Sequence, residues 1–213
     1  MPEKSAGKEK KIILVATRNP GKFQEFKNFF KDLPVELLSL RDFPEVGEID
    51  EPYSSFEENA RHKAIICLKK TGLFSLADDS GLEVEALRGA PGVRSARFAG
   101  ENATDQENNQ KLLEVLKGLE PEKRKARFVC VLALAISEKQ VEMVRAETEG
   151  IILETPRGKK GFGYDPLFYY PPLGKTFAEL ETEEKLKVSH RGKALEKMRK
   201  ILEQILKENS IPE

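Results

Sequence analysis

Asp78 and Asp79 stand side by side in Ala77-Asp78-Asp79-Ser80-Gly81, which follows the apolar run Leu73-Phe74-Ser75-Leu76. Two adjacent carboxylates repel each other, so placing both where a buried strand ends calls for a cation or a proton to offset them. Strand ends are also where α/β folds build their sites. Magnesium answers that need, because it takes one or two carboxylates and completes its shell with substrate phosphates. Turn chemistry explains Asp, Ser and Gly at this place equally well, so the pair has to be read with the rest of the chain.

Four further segments offer chemistry. Thr17-Arg18-Asn19-Pro20-Gly21-Lys22 joins an apolar run to a helical pattern, where backbone N–H groups and the Lys22 charge would attract phosphate. The spacing is not that of a Walker A loop, and an ordinary strand-turn-helix junction has the same composition. Asn59 and Lys63 are four residues apart on one helical face, with Glu51 upstream as a third carboxylate that could complete a magnesium site with Asp79. Gly161-Phe162-Gly163-Tyr164-Asp165 offers an aromatic ring able to stack on a nucleobase and a carboxylate able to accept from a base N–H; a tight turn around a packed Phe reads the same. Ser189-His190-Arg191-Gly192 opens the last helix with cations where the helix dipole disfavours them, and Lys185 lies shortly before. Such a local misfit invites a functional reason.

The elements that must position these groups alternate between strand and helix patterns. Strands are expected over Lys11–Thr17, Val35–Leu40, the Leu73 run, Leu82–Leu87, Phe128–Ile136, Val141–Thr148 and Ile151–Leu153. One helix carries Phe23, Phe26, Phe29 and Phe30 on one face; a second opens at Ser54-Ser55 and stops at Gly72; a third is capped by Thr104 with Glu107; the last follows Ser189. Arg41–Ser54, Arg88–Gly100 and Thr155–Asp165 read as loops, and Met1–Lys10 as a loose tail. The fold class is mixed α/β, with one domain over residues 11–208 arranged as two lobes around a cleft.

With 36 basic and 36 acidic residues among 213, the chain lacks the basic footprint of a nucleic-acid binder. No apolar run approaches membrane-spanning length, and no signal-peptide pattern opens the chain. Cys67 and Cys130 lie in apolar runs and read as free core thiols of a cytoplasmic protein.

Taken in order, the segments resemble the inosine/xanthosine triphosphate pyrophosphatase family. The resemblance rests on Thr17-x-Asn19-x-x-Lys22, Phe56-Glu57-Glu58-Asn59-Ala60-x-x-Lys63-Ala64, Ala77-Asp78-Asp79-Ser80-Gly81-Leu82 and Gly89–Arg97, then on Phe162-Gly163-Tyr164-Asp165-Pro166 and Ser189-His190-Arg191-Gly192. It implies an elongated mixed sheet flanked by helices, two lobes around the active-site cleft, and a homodimer. It implies hydrolysis of ITP, dITP and XTP to the monophosphate and pyrophosphate. By position, Thr17, Arg18, Asn19, Pro20, Gly21 and Lys22 would bind the triphosphate, and Lys63 its phosphates. Asp79 would be the general base and, with Glu51, a magnesium ligand. Ser80 would touch substrate; Phe162, Gly163, Tyr164, Asp165, Lys185, His190 and Arg191 would hold the base. Arg18 stands where the family often has glycine. A pyrophosphatase for other modified nucleotides, a non-catalytic nucleotide or RNA binder, and a dimeric scaffold with a dead site are the alternatives.

Overall fold

In the computed structural model, which describes residues 10–208, seven strands form one sheet in the order β2-β1-β3-β4-β5-β6-β7. The tail expected before residue 10 lies outside the described residues. Strand β1 (Lys11–Val15) pairs in parallel with β2 (Val35–Ser39) on one side and with β3 (Phe74–Val84) on the other; every later pairing is antiparallel. The expected mixed sheet is therefore present. Helix α1 (Pro20–Phe30) makes the crossover from β1 to β2, and α2 (Phe56–Thr71) lies between β2 and β3.

Long strands dominate the middle: β3, β4 (Lys125–Ala135) and β5 (Val141–Ile152) run 11, 11 and 12 residues. Alternation divides their side chains between two faces. Leu76, Cys130, Leu132 and Leu134 face α1 and the last helix, α5 (His190–Glu208), while Ala77, Val129, Val131 and Ala133 face α2. At the far end, Leu82, Val84, Ala126, Phe128 and Ile152 enter a third apolar cluster with α3 (Asp105–Val115), β6 (Phe168–Tyr170) and Phe177.

The structure departs from the sequence reading at several places. Val141–Thr148 and Ile151–Leu153 are one strand, β5, because Glu149 and Gly150 keep their pairing with β4. Leu73–Leu76 and Leu82–Leu87 are not separate strands, because Asp78–Gly81 keep their pairing with β4 and join them into one β3. The short strands β6 and β7 (Lys175–Thr176) were not foreseen, nor was α4 (Thr182–Val188), which carries Lys185. Elements of two to seven residues carry too few periodic positions to stand out. The caps follow the sequence: Ser55 Oγ accepts from Glu58 N–H, Thr104 and Glu107 form a reciprocal capping box, and Gly72 closes α2 in the left-handed region. Both cysteines are buried and free.

Candidate active site

Asp78 and Asp79 do not sit at the end of their own strand. They sit where β1 ends: β1 pairs with β3 only as far as Leu76, while Asp78 and Asp79 continue opposite Leu132 and Val131 of β4. The parallel neighbour stops and the β3 edge opens there, as at the crevice outside strand ends in α/β sheets. The pleat sends Asp78 toward α1 and α5 and Asp79 toward α2. Gly81 allows the next segment to close in, since a Cβ there would lie 2.3 Å from the Gly92 carbonyl oxygen. Ser95 Oγ accepts from Leu82 N–H at 2.8 Å and bolts the 3-10 turn Gly92–Arg97 onto β3.

On the first face, Asp78 is fully committed. Lys22 Nζ lies 2.5 Å from its Oδ1, and Arg191 Nε donates to its Oδ2 at 2.9 Å. Ser80 Oγ and Cys130 Sγ also donate to Oδ2, at 3.0 and 3.4 Å. Burial opposes the charge of Asp78, yet Arg191 and Lys22 outweigh it and hold the carboxyl well below the usual carboxylate range. Arg191 Nη1 donates to Glu25 Oε2 at 2.7 Å; Lys185 Nζ lies 3.3 Å from Glu25 Oε1 and 2.6 Å from Asp165 Oδ2. Glu25, Asp78, Asp165, Lys185 and Arg191 are all buried. Charges survive out of water only when paired, so these five groups stand or fall together.

This network explains the cations at the start of α5. Ser189 Oγ caps the helix by accepting from Gly192 N–H at 3.1 Å, and Arg191 in the first turn answers two buried carboxylates that outweigh the helix dipole. His190 turns the other way. Its ring stacks on Phe128 at 4.6 Å and is buried, and burial with Arg191 nearby holds it well below the usual histidine range. Its Nδ1 is buried with no hydrogen-bond partner among the described residues, so the ring packs on Phe128 and keeps one polar atom unspent.

Phe162 links this network to the α1 turn. A Cβ on Gly21 would lie 2.9 Å from Phe162 Cδ1, so a larger residue there would push the ring away from the start of α1. Lys185 Nζ and the Arg191 guanidinium lie 4.6 and 5.4 Å from the ring centroid. Asp165 Oδ2 accepts from Phe162 N–H at 3.0 Å, and Gly163 N–H donates to Asp105 Oδ2 at 2.6 Å. Tyr164 is buried and its hydroxyl donates to the Ser95 carbonyl at 2.8 Å, so its side chain braces the loop from inside.

Most side chains of the Thr17–Lys22 turn are occupied with the turn itself. Thr17 Oγ1 accepts from Asn19 N–H at 3.1 Å, and Asn19 Oδ1 caps α1 by accepting from Lys22 N–H at 3.0 Å. Pro20 opens the helix. Arg18 points away, donating to the carbonyls of Leu40 at 3.3 Å and Gly47 at 2.7 Å. Only Lys22 reaches toward the carboxylates.

On the second face, Lys63 Nζ donates to the Asp78 carbonyl at 3.0 Å and pairs with Glu51. Arg97 Nη1 lies 3.7 Å from Glu51 Oε2, and Arg97 Nη2 donates to the Glu51 carbonyl at 3.3 Å. Buried Asn59 donates to the Tyr53 carbonyl at 3.1 Å and accepts from Tyr53 N–H at 3.0 Å, fastening the Glu51 loop to α2. Burial resists the charge on Glu51, but Lys63 keeps its carboxyl below the usual value. Asp79 differs from both neighbours. Its Oδ2 is buried with no hydrogen-bond partner among the described residues, and burial, with Glu51 adding to it and Lys63 opposing, pushes its carboxyl up to about 6.

The donors here suit magnesium: hard carboxylate oxygens, one of them orphaned and buried, on two segments that share Lys63. Among the described residues no cluster of three or more His, Cys, Asp or Glu side chains converges, so waters and phosphate oxygens would complete the shell. Sequence reasoning missed Glu25 and Arg97. Glu25 carried a signal: it falls on the same helical stripe as Lys22, Phe26 and Phe29, where a charge has to be paired. Arg97 lies in a stretch without periodicity, and only the folded turn brings it to Glu51.

The fold and this two-faced site define a Ham1-type α/β protein. The sequence model of the Ham1 family matches residues 13–201, and the chain belongs to that family. A dITP/XTP pyrophosphatase of Syntrophobacter fumaroxidans is 51% identical over 199 residues, spanning 93% of this chain and 85% of that protein. One from Thermoanaerobacter sp. is 50% identical over 196 residues, spanning 92% and 98%. Among solved structures, a HAM1 protein from Coxiella burnetii superposes with a TM-score of 0.84 at 44% identity, covering 91% of this chain and 99% of that one. No helix of the described residues is long and apolar enough to cross a membrane.

Proposed function

We propose that this chain hydrolyses the nonstandard purine nucleotides ITP, dITP and XTP to the monophosphate and pyrophosphate, clearing deaminated purines from the nucleotide pool. Its relatives bear the name dITP/XTP pyrophosphatase. The observation that carries the reading within this chain is the contrast between two adjacent carboxylates, Asp78 locked by cations and Asp79 with a free, buried oxygen.

Three carboxylates compete for the role of base, and their surroundings separate them. Both oxygens of Asp78 are taken, and Glu51 is held low by Lys63. Asp79 alone combines a free oxygen with a raised proton affinity, which suits a general base. Asp79 orients a water and accepts its proton; the water oxygen bonds to the α-phosphorus. The bond from that phosphorus to the bridging oxygen breaks, and the electron pair leaves with pyrophosphate. Lys22 and Lys63 offset charge on the phosphate oxygens. Glu51 and Asp79 would hold magnesium, which when bound draws further charge from the phosphates.

The base lies against Phe162, within reach of Lys185, Arg191 and Asp165, and Ser80 borders the phosphates. Thr17, Arg18, Asn19, Pro20 and Gly21 act by shaping the turn that presents Lys22. Gly163 and Tyr164 act by fixing the Phe162 loop, and His190, whose Nδ1 has no partner among the described residues, contributes to the base site. Residues 11–208 work as one catalytic domain, with lobes at the two ends of the long strands around the cleft. The enzyme is cytoplasmic, in keeping with its buried free thiols, and a homodimer, which sedimentation velocity tests.

The test is to supply magnesium with ITP, XTP, dITP, GTP or ATP and to assay pyrophosphate and orthophosphate separately. Pyrophosphate from the first three, with little from GTP or ATP, is expected. Orthophosphate alone, or no product, sinks the reading.

A further inference from the structure

The ion pairs of the site form an ordered line. Lys185, Glu25, Arg191, Asp78 and Lys22 follow one another on the first face; Lys63, Glu51, Arg97 and Glu101 follow on the second. The first end lies at Phe162 and the middle at Asp79. The second end opens into a hollow of about 490 Å³ lined by Asp50, Glu51, Ser54, Arg94, Arg97 and Glu101.

We propose that Arg97 and Arg94 form a subsite for the pyrophosphate end of the nucleotide, and that Glu101 fills it as a displaceable anion until substrate arrives. This rests on the functional reading above: with the base at Phe162 and the reacting phosphorus at Asp79, the leaving phosphates extend past Glu51. Arginine forks match phosphate oxygens in pairs. The turn that carries them is rigid, because Ser95 Oγ donates to the Gly92 carbonyl at 2.6 Å and accepts from Leu82 N–H, while its carbonyl accepts from Tyr164. The side chains themselves are accessible, at 66% exposure for Arg94 and 27% for Arg97. Glu101 Oε1 lies 3.4 Å from Arg94 Nη2, and its Oε2 lies 3.9 Å from Arg97 Nε. Glu101 is 72% exposed, so its pairs are solvent-screened and contribute little. A polyanion with several phosphate oxygens outcompetes a single exposed carboxylate.

The test compares two product inhibitors of ITP hydrolysis by the full chain with magnesium: pyrophosphate and inosine monophosphate. Arg97→Ala is expected to raise the inhibition constant of pyrophosphate about tenfold or more and to leave that of the monophosphate in place. Arg94→Ala moves it the same way by less, Arg97→Lys recovers part of the loss, and Glu101→Gln tightens pyrophosphate. An unchanged pyrophosphate constant in Arg97→Ala overturns the subsite. So does an equal shift for both inhibitors together with a raised magnesium requirement, which would mean that Arg97 only props Glu51. Titration calorimetry with magnesium pyrophosphate needs no turnover: binding that depends on Arg97 without ITP cleavage counts against the reaction and leaves the subsite standing.

Discussion

Asp78 and Asp79 are consecutive in β3 and face opposite sides of the sheet, one neutralised by Lys22 and Arg191, the other with a buried oxygen that has no partner among the described residues. A strand pleat separates their environments, and the environments push their proton affinities apart, down for Asp78 and up to about 6 for Asp79. On the proposed reading, this back-to-back pair gives structure to one carboxylate and chemistry to the other.

Asp79→Asn is expected to lower kcat by about 10²–10⁴-fold, the usual worth of a general base, with an unchanged circular dichroism spectrum. The same variant should stabilise the metal-free protein. Burial raises the folded-state carboxyl of Asp79 from 3.8 to about 6, so the folded form binds more protons than the unfolded form across that window. Its contribution is favourable below about pH 4 and is lost as pH rises to about 6. Above that the deficit is about 3 kcal/mol at most, and the asparagine removes it. Urea titrations at about pH 4 and about pH 8 check the sign: a gain for the variant only at the higher pH.

Arg191→Ala should cost stability before it reveals selectivity. It leaves Asp78 and Glu25 buried without their shared cation, a loss of about 3–5 kcal/mol, or about 10 °C in Tm for a chain of this size. Differential scanning calorimetry reads it. A Tm within 2–3 °C of the parent, on the order of one kcal/mol, would show that water reaches the network.

Gly21→Ala should separate binding from folding. Alanine in the first turn of α1 favours the helix by up to about 1 kcal/mol, but its Cβ would press on Phe162, 2.9 Å away. The KM for ITP is expected to rise several-fold, about 1 kcal/mol of binding, while Tm holds or increases. An unchanged KM would remove Phe162 from the base site.

The sheet, the caps and the core faces were legible because they repeat. Ile13, Leu14 and Val15 announce β1, and Ser55 with Glu58 or Thr104 with Glu107 announce helices. The continuity of β3 through Asp78–Gly81 was hidden, because turn-forming residues and a functional strand have the same composition. The candidate residues came together in space from a strand, four helices and loops far apart in sequence. What the spacing could not show was how they divide the work: Tyr164 and His190 packed inside, Arg18 turned toward Gly47, and Glu25 tying Arg191 to Lys185. Those roles depend on long-range contacts, which no local pattern encodes.

The most direct measurement is to hydrolyse ITP in heavy-oxygen water and locate the label by mass spectrometry. Attack on the α-phosphorus by the water that Asp79 orients puts the heavy oxygen in inosine monophosphate and none in pyrophosphate. Label in the pyrophosphate instead would mean attack on the β-phosphorus, and would contradict the placement of Asp79 against the α-phosphate.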